Sequence, residues 1–141
     1  MKSDALSRES VLELLRELIR IPSVNPTLAP EEGQGEAAIA AFARDWLAAR
    51  GLRSWLEEPA PHRPNAVGEV GDGEGPTLVL CAHLDTVGTA GMTIPPFEPR
   101  LEEGRVYGRG SYDMKGSAAA LMSAAAALAA QGVQGRLLVA L

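Results

Sequence analysis

The chain has 141 residues, enough for one domain and no more, and its 46% hydrophobic and 22% charged residues describe an ordinary globular sequence, not a disordered one. A net charge of -5 with no Lys/Arg cluster argues against nucleic acid or an anionic membrane as partner, since both attract basic surfaces. The single cysteine, Cys81, cannot form an internal disulfide, and the polar stretch Met1 to Ser10 lacks the apolar centre of a signal peptide. The longest small apolar stretch, Ser117 to Ala130, is shorter than the ~20 residues that span a bilayer. These features lead to the expectation of a soluble, cytoplasmic protein.

In chain order, Ser7 reads as a helix N-cap, followed by Val11, Leu14, Leu15, Leu18 and Ile19 at helical spacing, with Pro22 ending the helix. Residues 22–35 carry three prolines and two glycines and are expected to be loop. A second helix is expected from about Glu36 to Arg50, with Ile39, Phe42, Trp46 and Leu47 as its apolar stripe and Gly51 as its stop. Leu52 to Leu56 and Asn65 to Val70 read as short strands, and Gly71 to Pro76 as a turn between strands. Thr77 to His83 is an almost unbroken apolar run, as expected of a central strand buried on both faces. After a proline-rich loop, Leu101 to Tyr107 reads as a hairpin turning at Glu103-Gly104. Residues 115–130 form an alanine-rich helix, and Arg136 to Leu141 a further strand expected to pair beside Thr77–His83. The pattern predicts an α/β fold, helices covering a mixed β-sheet.

Two stretches carry chemistry. His83-Leu84-Asp85 lies at the end of the apolar strand, where α/β sheets place ligands; alternation along an extended chain puts His83 and Asp85 on one side. A histidine that binds metal through one ring nitrogen usually donates the other N–H to a carboxylate. Taken alone, the triplet reads first as a histidine and an aspartate bonded to nearby backbone. The second stretch, Gly108 to Gly116, holds Asp113 just before the alanine-rich helix. Taken alone, Asp113 reads as an N-cap; beside the His-x-Asp triplet, it also reads as a carboxylate able to bridge two cations. His62 reads as an exposed loop residue, Cys81 as buried packing, and Trp46 and Trp55 as core or interface. Lys115 is either a support of the Asp113 loop or a solvated first-turn residue, and Arg109 is left undecided.

Together, Leu80-Cys81-Ala82-His83-Leu84-Asp85-Thr86-Val87, Pro96-Phe97, Gly104-Arg105-Val106-Tyr107-Gly108-Arg109-Gly110 and Asp113-Met114-Lys115-Gly116, with Ile21-Pro22-Ser23-Val24-Asn25-Pro26 upstream, resemble the M20 family of metallopeptidases in order and spacing. The resemblance implies a zinc-exopeptidase-like catalytic domain in which His83 binds one metal, Asp113 bridges two, and the catalytic Asp85 acts on His83 from behind. It implies two Zn2+ per site in the full-length enzyme, with Co2+ or Mn2+ able to serve similar ligands. It also implies a water-driven cleavage of the amide bond of an N-acyl amino acid or short peptide, and it admits a homodimer of the full-length protein. On this resemblance residues 1–141 are the N-terminal part of the catalytic domain, incomplete without the lid domain and C-terminal half. The general-base glutamate and remaining ligands are then expected beyond Leu141, and a sheet edge and its apolar faces are expected to lie open, favouring association and poor solubility. The alternatives are an exopeptidase or dipeptidase of the same family, and a non-catalytic fragment.

Overall fold

The computed structural model describes residues 6–141; residues 1–5, half of the polar segment Met1 to Ser10, lie outside it. Helix α1 (Arg8–Arg20) begins as the sequence predicts: the Ser7 hydroxyl accepts the Ser10 N–H at 3.0 Å. It ends at Ile21, whose extended backbone leads into Pro22. Helix α2 (Ala37–Ala48) is preceded by Glu36, which makes no side-chain cap and turns its carboxylate to Arg63 instead. Strands β1 (Arg53–Ala60) and β2 (Arg63–Gly71) form an antiparallel pair, longer than the periodicity alone predicts, turning at exposed His62. Strand β3 (Thr77–Cys81), the short hairpin β4 (Arg100–Glu102) and β5 (Arg105–Tyr107), helix α3 (Gly116–Gln131) and strand β6 (Arg136–Ala140) complete the order. Glu103 and Gly104 both take positive φ, the geometry of the expected two-residue hairpin turn.

The main sheet has the order β1-β2-β6-β3, antiparallel except for the parallel pair β3 and β6, whose register sets Thr77 opposite Arg136 and Cys81 opposite Ala140. The expected pairing of these two segments is therefore present, and the fold is α/β with a mixed sheet. Leu14, Leu18 and Ile19 of α1, Ile39, Ala43 and Leu47 of α2, and Ala118, Ala119 and Met122 of α3 join Ala66, Leu137 and Val139 in one buried cluster. Trp46 packs at its margin beneath Arg50. The run of alanines in α3 is what lets this helix lie close to α1, because a methyl is the largest group most of its positions present. No helix among the described residues is long and apolar enough to cross a membrane.

Two expectations are corrected. Strand β3 is an edge strand, not a central one: β6 lies on one side only, and Leu78 and Val79 are 57% and 53% exposed. For the same reason Cys81, predicted as buried packing, is exposed. Apolar composition reported the strand correctly but not its cover, because burial depends on neighbours that a local pattern does not contain.

Candidate metal centre

The strand proper ends at Cys81, so His83 lies just beyond the sheet ladder and not within it. What keeps the chain extended there is a second partner. Residues 23–25 run alongside: Thr86 N–H donates to Ser23 O and Asn25 N–H to Thr86 O, each at 2.9 Å, and the buried Ser23 hydroxyl donates to Leu84 O at 2.7 Å. These bonds satisfy backbone groups that would otherwise be buried without partners. The period-two alternation therefore persists, with Ala82, Leu84 and Thr86 buried and His83 and Asp85 facing outward together.

Asp113 is carried by the loop that joins β5 to α3. Gly110 has φ +80 and its missing Cβ would lie 2.8 Å from Thr86 Cγ2, so the loop passes the His-x-Asp segment at a distance only glycine allows. A wide turn over 111–115 is closed by Lys115 N–H donating to Gly110 O at 2.9 Å. Inside it Asp113 is extended, φ -120 and ψ 98, followed by a cis peptide to Met114. Its side chain makes no N-cap bond to α3, so the capping alternative is set aside; the carboxylate points to His83 instead.

His83 Nε2 stands 3.0 Å from Asp113 Oδ1, bringing together residues thirty positions apart. On the other side of the ring, His83 Nδ1 lies 3.0 Å from the Asp85 carbonyl oxygen and 3.1 Å from Asp85 Oδ1. Acceptors face both ring nitrogens, so a ring hydrogen on Nδ1 is satisfied by Asp85 and leaves the Nε2 lone pair facing the Asp113 carboxylate oxygen. Two acceptors at that distance require a cation or a second ring proton between them. An imidazole nitrogen and a carboxylate oxygen are donors that zinc accepts at about 2.0–2.2 Å each, so these two groups fit as ligands of one ion. Among the described residues no set of three or more His, Cys, Asp and Glu converges, so two candidate ligands, His83 and Asp113, meet at this place. The imidazole and the Asp113 carboxylate are open to solvent, with side-chain exposures of 48% and 79% against 25% for Asp85.

Three further groups shape the surroundings. Lys115 is wholly buried and donates to Leu18 O and Ile21 O, both at 2.8 Å; burial pulls its ammonium down to about 8. It is a support anchored beneath the site, not a solvated first-turn residue. Arg63 is held in its charged form chiefly by its hydrogen bonds to Glu36, and with His83 and Asp85 these two line one cleft. A second cleft, bounded by Arg109, Tyr112, Asp113, His83 and Thr86, opens on the other side. Separately, the Glu32 carboxyl is pushed below the usual range, first by the Thr89 hydroxyl and then by the Thr89 N–H. Ser23 and Asn25 carry no chemical signal of their own within Ile21–Pro26; the polar pair flanking Val24 after Pro22 is the one trace of their role in the sequence.

A mixed sheet under helices, with histidine and aspartate converging just beyond the end of one strand, defines an α/β domain with a candidate metal centre. The chain belongs to peptidase family M20/M25/M40: residues 79–141 match the family directly. It is 36% identical over 124 residues to a succinyl-diaminopimelate desuccinylase of Halorhodospira halophila, covering 82% of this chain and 29% of that protein. It is 39% identical over 122 residues to a [LysW]-lysine hydrolase of Deinococcus radiodurans, covering 85% and 28%. The chain thus spans under a third of the length of these curated relatives. In fold it is similar to human carnosine dipeptidase 1, with a TM-score of 0.76 at 23% identity over 94% of this chain and 31% of that one. It is likewise similar to the M20 metallo-carboxypeptidase Sso-CP2 of Sulfolobus solfataricus, with a TM-score of 0.79 at 23% identity over 92% and 30%.

Proposed function

We propose that this chain is the N-terminal portion of the catalytic domain of a divalent-metal-dependent hydrolase that cleaves the amide bond of an N-acyl amino acid. The observation that carries this reading is the 3.0 Å approach of His83 Nε2 to Asp113 Oδ1, with the opposite ring nitrogen turned to Asp85. In this reading His83 and Asp113 are metal ligands, and Asp113 uses its second oxygen toward a second ion. Asp85 fixes the ring orientation and tautomer, which keeps the Nε2 lone pair available. Zinc suits the nitrogen and oxygen donors, with cobalt or manganese as substitutes. A cation bound there supplies Lewis acidity toward a carbonyl and lowers the pKa of bound water. The proton acceptor for that water and the remaining ligands come from parts of the protein outside residues 1–141.

Relatives above 35% identity favour deacylation over peptide trimming: one is named for removing succinyl, the other for hydrolysing [LysW]-lysine. The dipeptidase and carboxypeptidase likenesses lie at 23% identity and speak for the fold alone. An acidic chain with one cysteine accords with a cytoplasmic enzyme acting on small molecules. The test is hydrolysis of N-acetyl and N-succinyl amino acids and of dipeptides by the full-length protein, before and after chelation. Chelator-sensitive release of the amino acid from an N-acyl substrate, abolished in His83→Ala and Asp113→Ala, is the expected result. Turnover of dipeptides alone would favour the exopeptidase reading, and turnover indifferent to both substitutions would remove the site assignment. Among the described residues two candidate ligands meet, whereas stable zinc sites use three or four, so residues 1–141 alone are expected to bind zinc weakly and hydrolyse nothing.

A further inference from the structure

We infer that Asn25 is a positioning residue for His83, acting through Asp85; the inference rests on the reading of His83 as a metal ligand. Asn25 Nδ2 donates to Asp85 Oδ2 at 2.8 Å, while the other carboxylate oxygen of Asp85 faces His83 Nδ1 at 3.1 Å. The orientation of the Asn25 amide is not free. Its Oδ1 accepts the Thr27 N–H at 2.8 Å, so the oxygen is committed to the turn and the NH2 end must face the carboxylate. The Asn25 backbone is itself held by donation to Thr86 O at 2.9 Å and by the adjacent pairing of buried Val24 with Thr86. The hydrogen bonds therefore run in one direction: Thr27 N–H to Asn25, Asn25 NH2 to Asp85, and His83 Nδ1–H to Asp85.

The consequence for the ring is specific. A carboxylate that receives one hydrogen bond from a fixed amide on Oδ2 cannot rotate freely about its terminal torsion, so Oδ1 stays directed at Nδ1. That keeps the ring hydrogen on Nδ1 and the Nε2 lone pair on the side of Asp113. Without the amide, Asp85 is free to turn toward solvent, and His83 retains only the Asp85 carbonyl oxygen at 3.0 Å. The same segment, residues 21–25, receives Lys115 Nζ at Ile21 O, so one short stretch of chain is tied to the carriers of both ligands.

Asn25→Ser separates this role from a merely structural one. A serine hydroxyl can still accept the Thr27 N–H as a serine turn, but it is too short to reach Asp85 and adds no charge. In the full-length protein, Asn25→Ser is expected to weaken Co2+ binding about tenfold, the lower end of the range for groups outside the ligand shell, and to alter the visible spectrum of the bound cobalt. In the metal-free protein, the 15N shifts of the His83 ring are expected to move from a single Nδ1–H form toward a mixture of tautomers. Adding Asn25→Ser to Asp85→Ala is expected to cost nothing further, because the effect passes through the missing carboxylate. Cobalt affinity within twofold of the unsubstituted protein together with an unchanged tautomer, or additive losses in the double variant, would overturn the proposal. Should Asn25→Ser fail to fold, the same two measurements on Asn25→Asp, which keeps an acceptor for the Thr27 N–H but replaces the NH2 donor by a carboxylate oxygen, decide it: an unchanged tautomer and affinity there would also overturn it. His83→Ala binding cobalt as well as the unsubstituted protein would instead remove the ligand assignment on which it rests.

Discussion

Strand β3 and the five residues that follow it make an instructive contrast. Residues 77–81 are paired by β6 on one edge only, and Leu78 and Val79 stand largely exposed although they are among the most apolar in the chain. Residues 82–86 have left the ladder, carry a histidine and an aspartate, and yet bury Ala82, Leu84 and Thr86 and are bonded along their length by residues 23–25. The candidate ligand thus lies where the chain is most tightly held, and the open surface lies where the sequence is most hydrophobic. Placement of the His83 and Asp85 side chains comes from hydrogen bonding of the adjoining backbone, at Leu84 and Thr86, to residues 23–25, and apolar content alone does not provide it.

The tied half can be broken hardest at Gly110. Gly110→Val is expected to lower stability by about 3 kcal/mol or more, combining a β-branched residue at positive φ, worth about 1–3 kcal/mol, with a methyl forced onto Thr86. Urea denaturation gives the loss, and cobalt titration of the same variant should show the metal site weakened as the Asp113 loop shifts.

Lys115→Met is expected to cost about 2 kcal/mol at neutral pH, since Leu18 O and Ile21 O lose a buried donor and no water replaces it. This effect has a pH signature. Lys115 titrates at about 8 when folded and at the ordinary 10.5 when unfolded. Between those values the unfolded chain holds the extra proton, so raising the pH through this window favours the folded form, and below about 8 the contribution is flat. The stability gap between the parent and Lys115→Met should therefore widen from pH 8 to pH 10; a gap that narrows would show that the buried amine is not the group described. Ser23→Ala, which frees one buried carbonyl at Leu84, should cost less, about 1 kcal/mol in the same denaturation experiment.

These contrasts also mark what was legible in the sequence. Helix α1 was readable to its cap because Ser7, the Leu14–Leu18 stripe and Pro22 are all local signals. The hairpin at Glu103-Gly104 and the meeting of Arg136–Leu141 with the Thr77 segment were readable from turn chemistry and apolar runs. His83, Asp85 and Asp113 stood out as a pattern of residue types, and the fold brings each carboxylate within hydrogen-bond distance of the His83 ring. The cover of β3, the exposure of Cys81 and the burial of Lys115 were not readable, because each depends on which distant segment lies alongside. Lys115 shows the reason plainly: its partners are carbonyls of α1 more than ninety residues away, and backbone acceptors leave no trace in side-chain identity. Asn25 failed for the same reason, its meaning residing in a carboxylate sixty residues further on.

The open half is where the smallest change in folding stability is expected. Val79 points away from the helices, in register with Leu138, and is 53% exposed. Val79→Lys should alter folding stability by no more than about 0.5 kcal/mol, as surface substitutions do, because little contact is lost. Its effect should appear in association. An edge strand with bare N–H and C=O groups and exposed Leu78 and Val79 is a template for a second strand, and a lysine there raises the cost of pairing by requiring a charge to approach an apolar neighbour. Sedimentation of residues 1–141 over a concentration series should show self-association that Val79→Lys reduces, while a surface control such as Glu74→Lys leaves it unchanged. If the parent chain sediments as a monomer throughout and melts in one sharp transition, the exposed edge is tolerated as it stands, and the contrast between the two halves of this segment is one of hydrogen bonding alone.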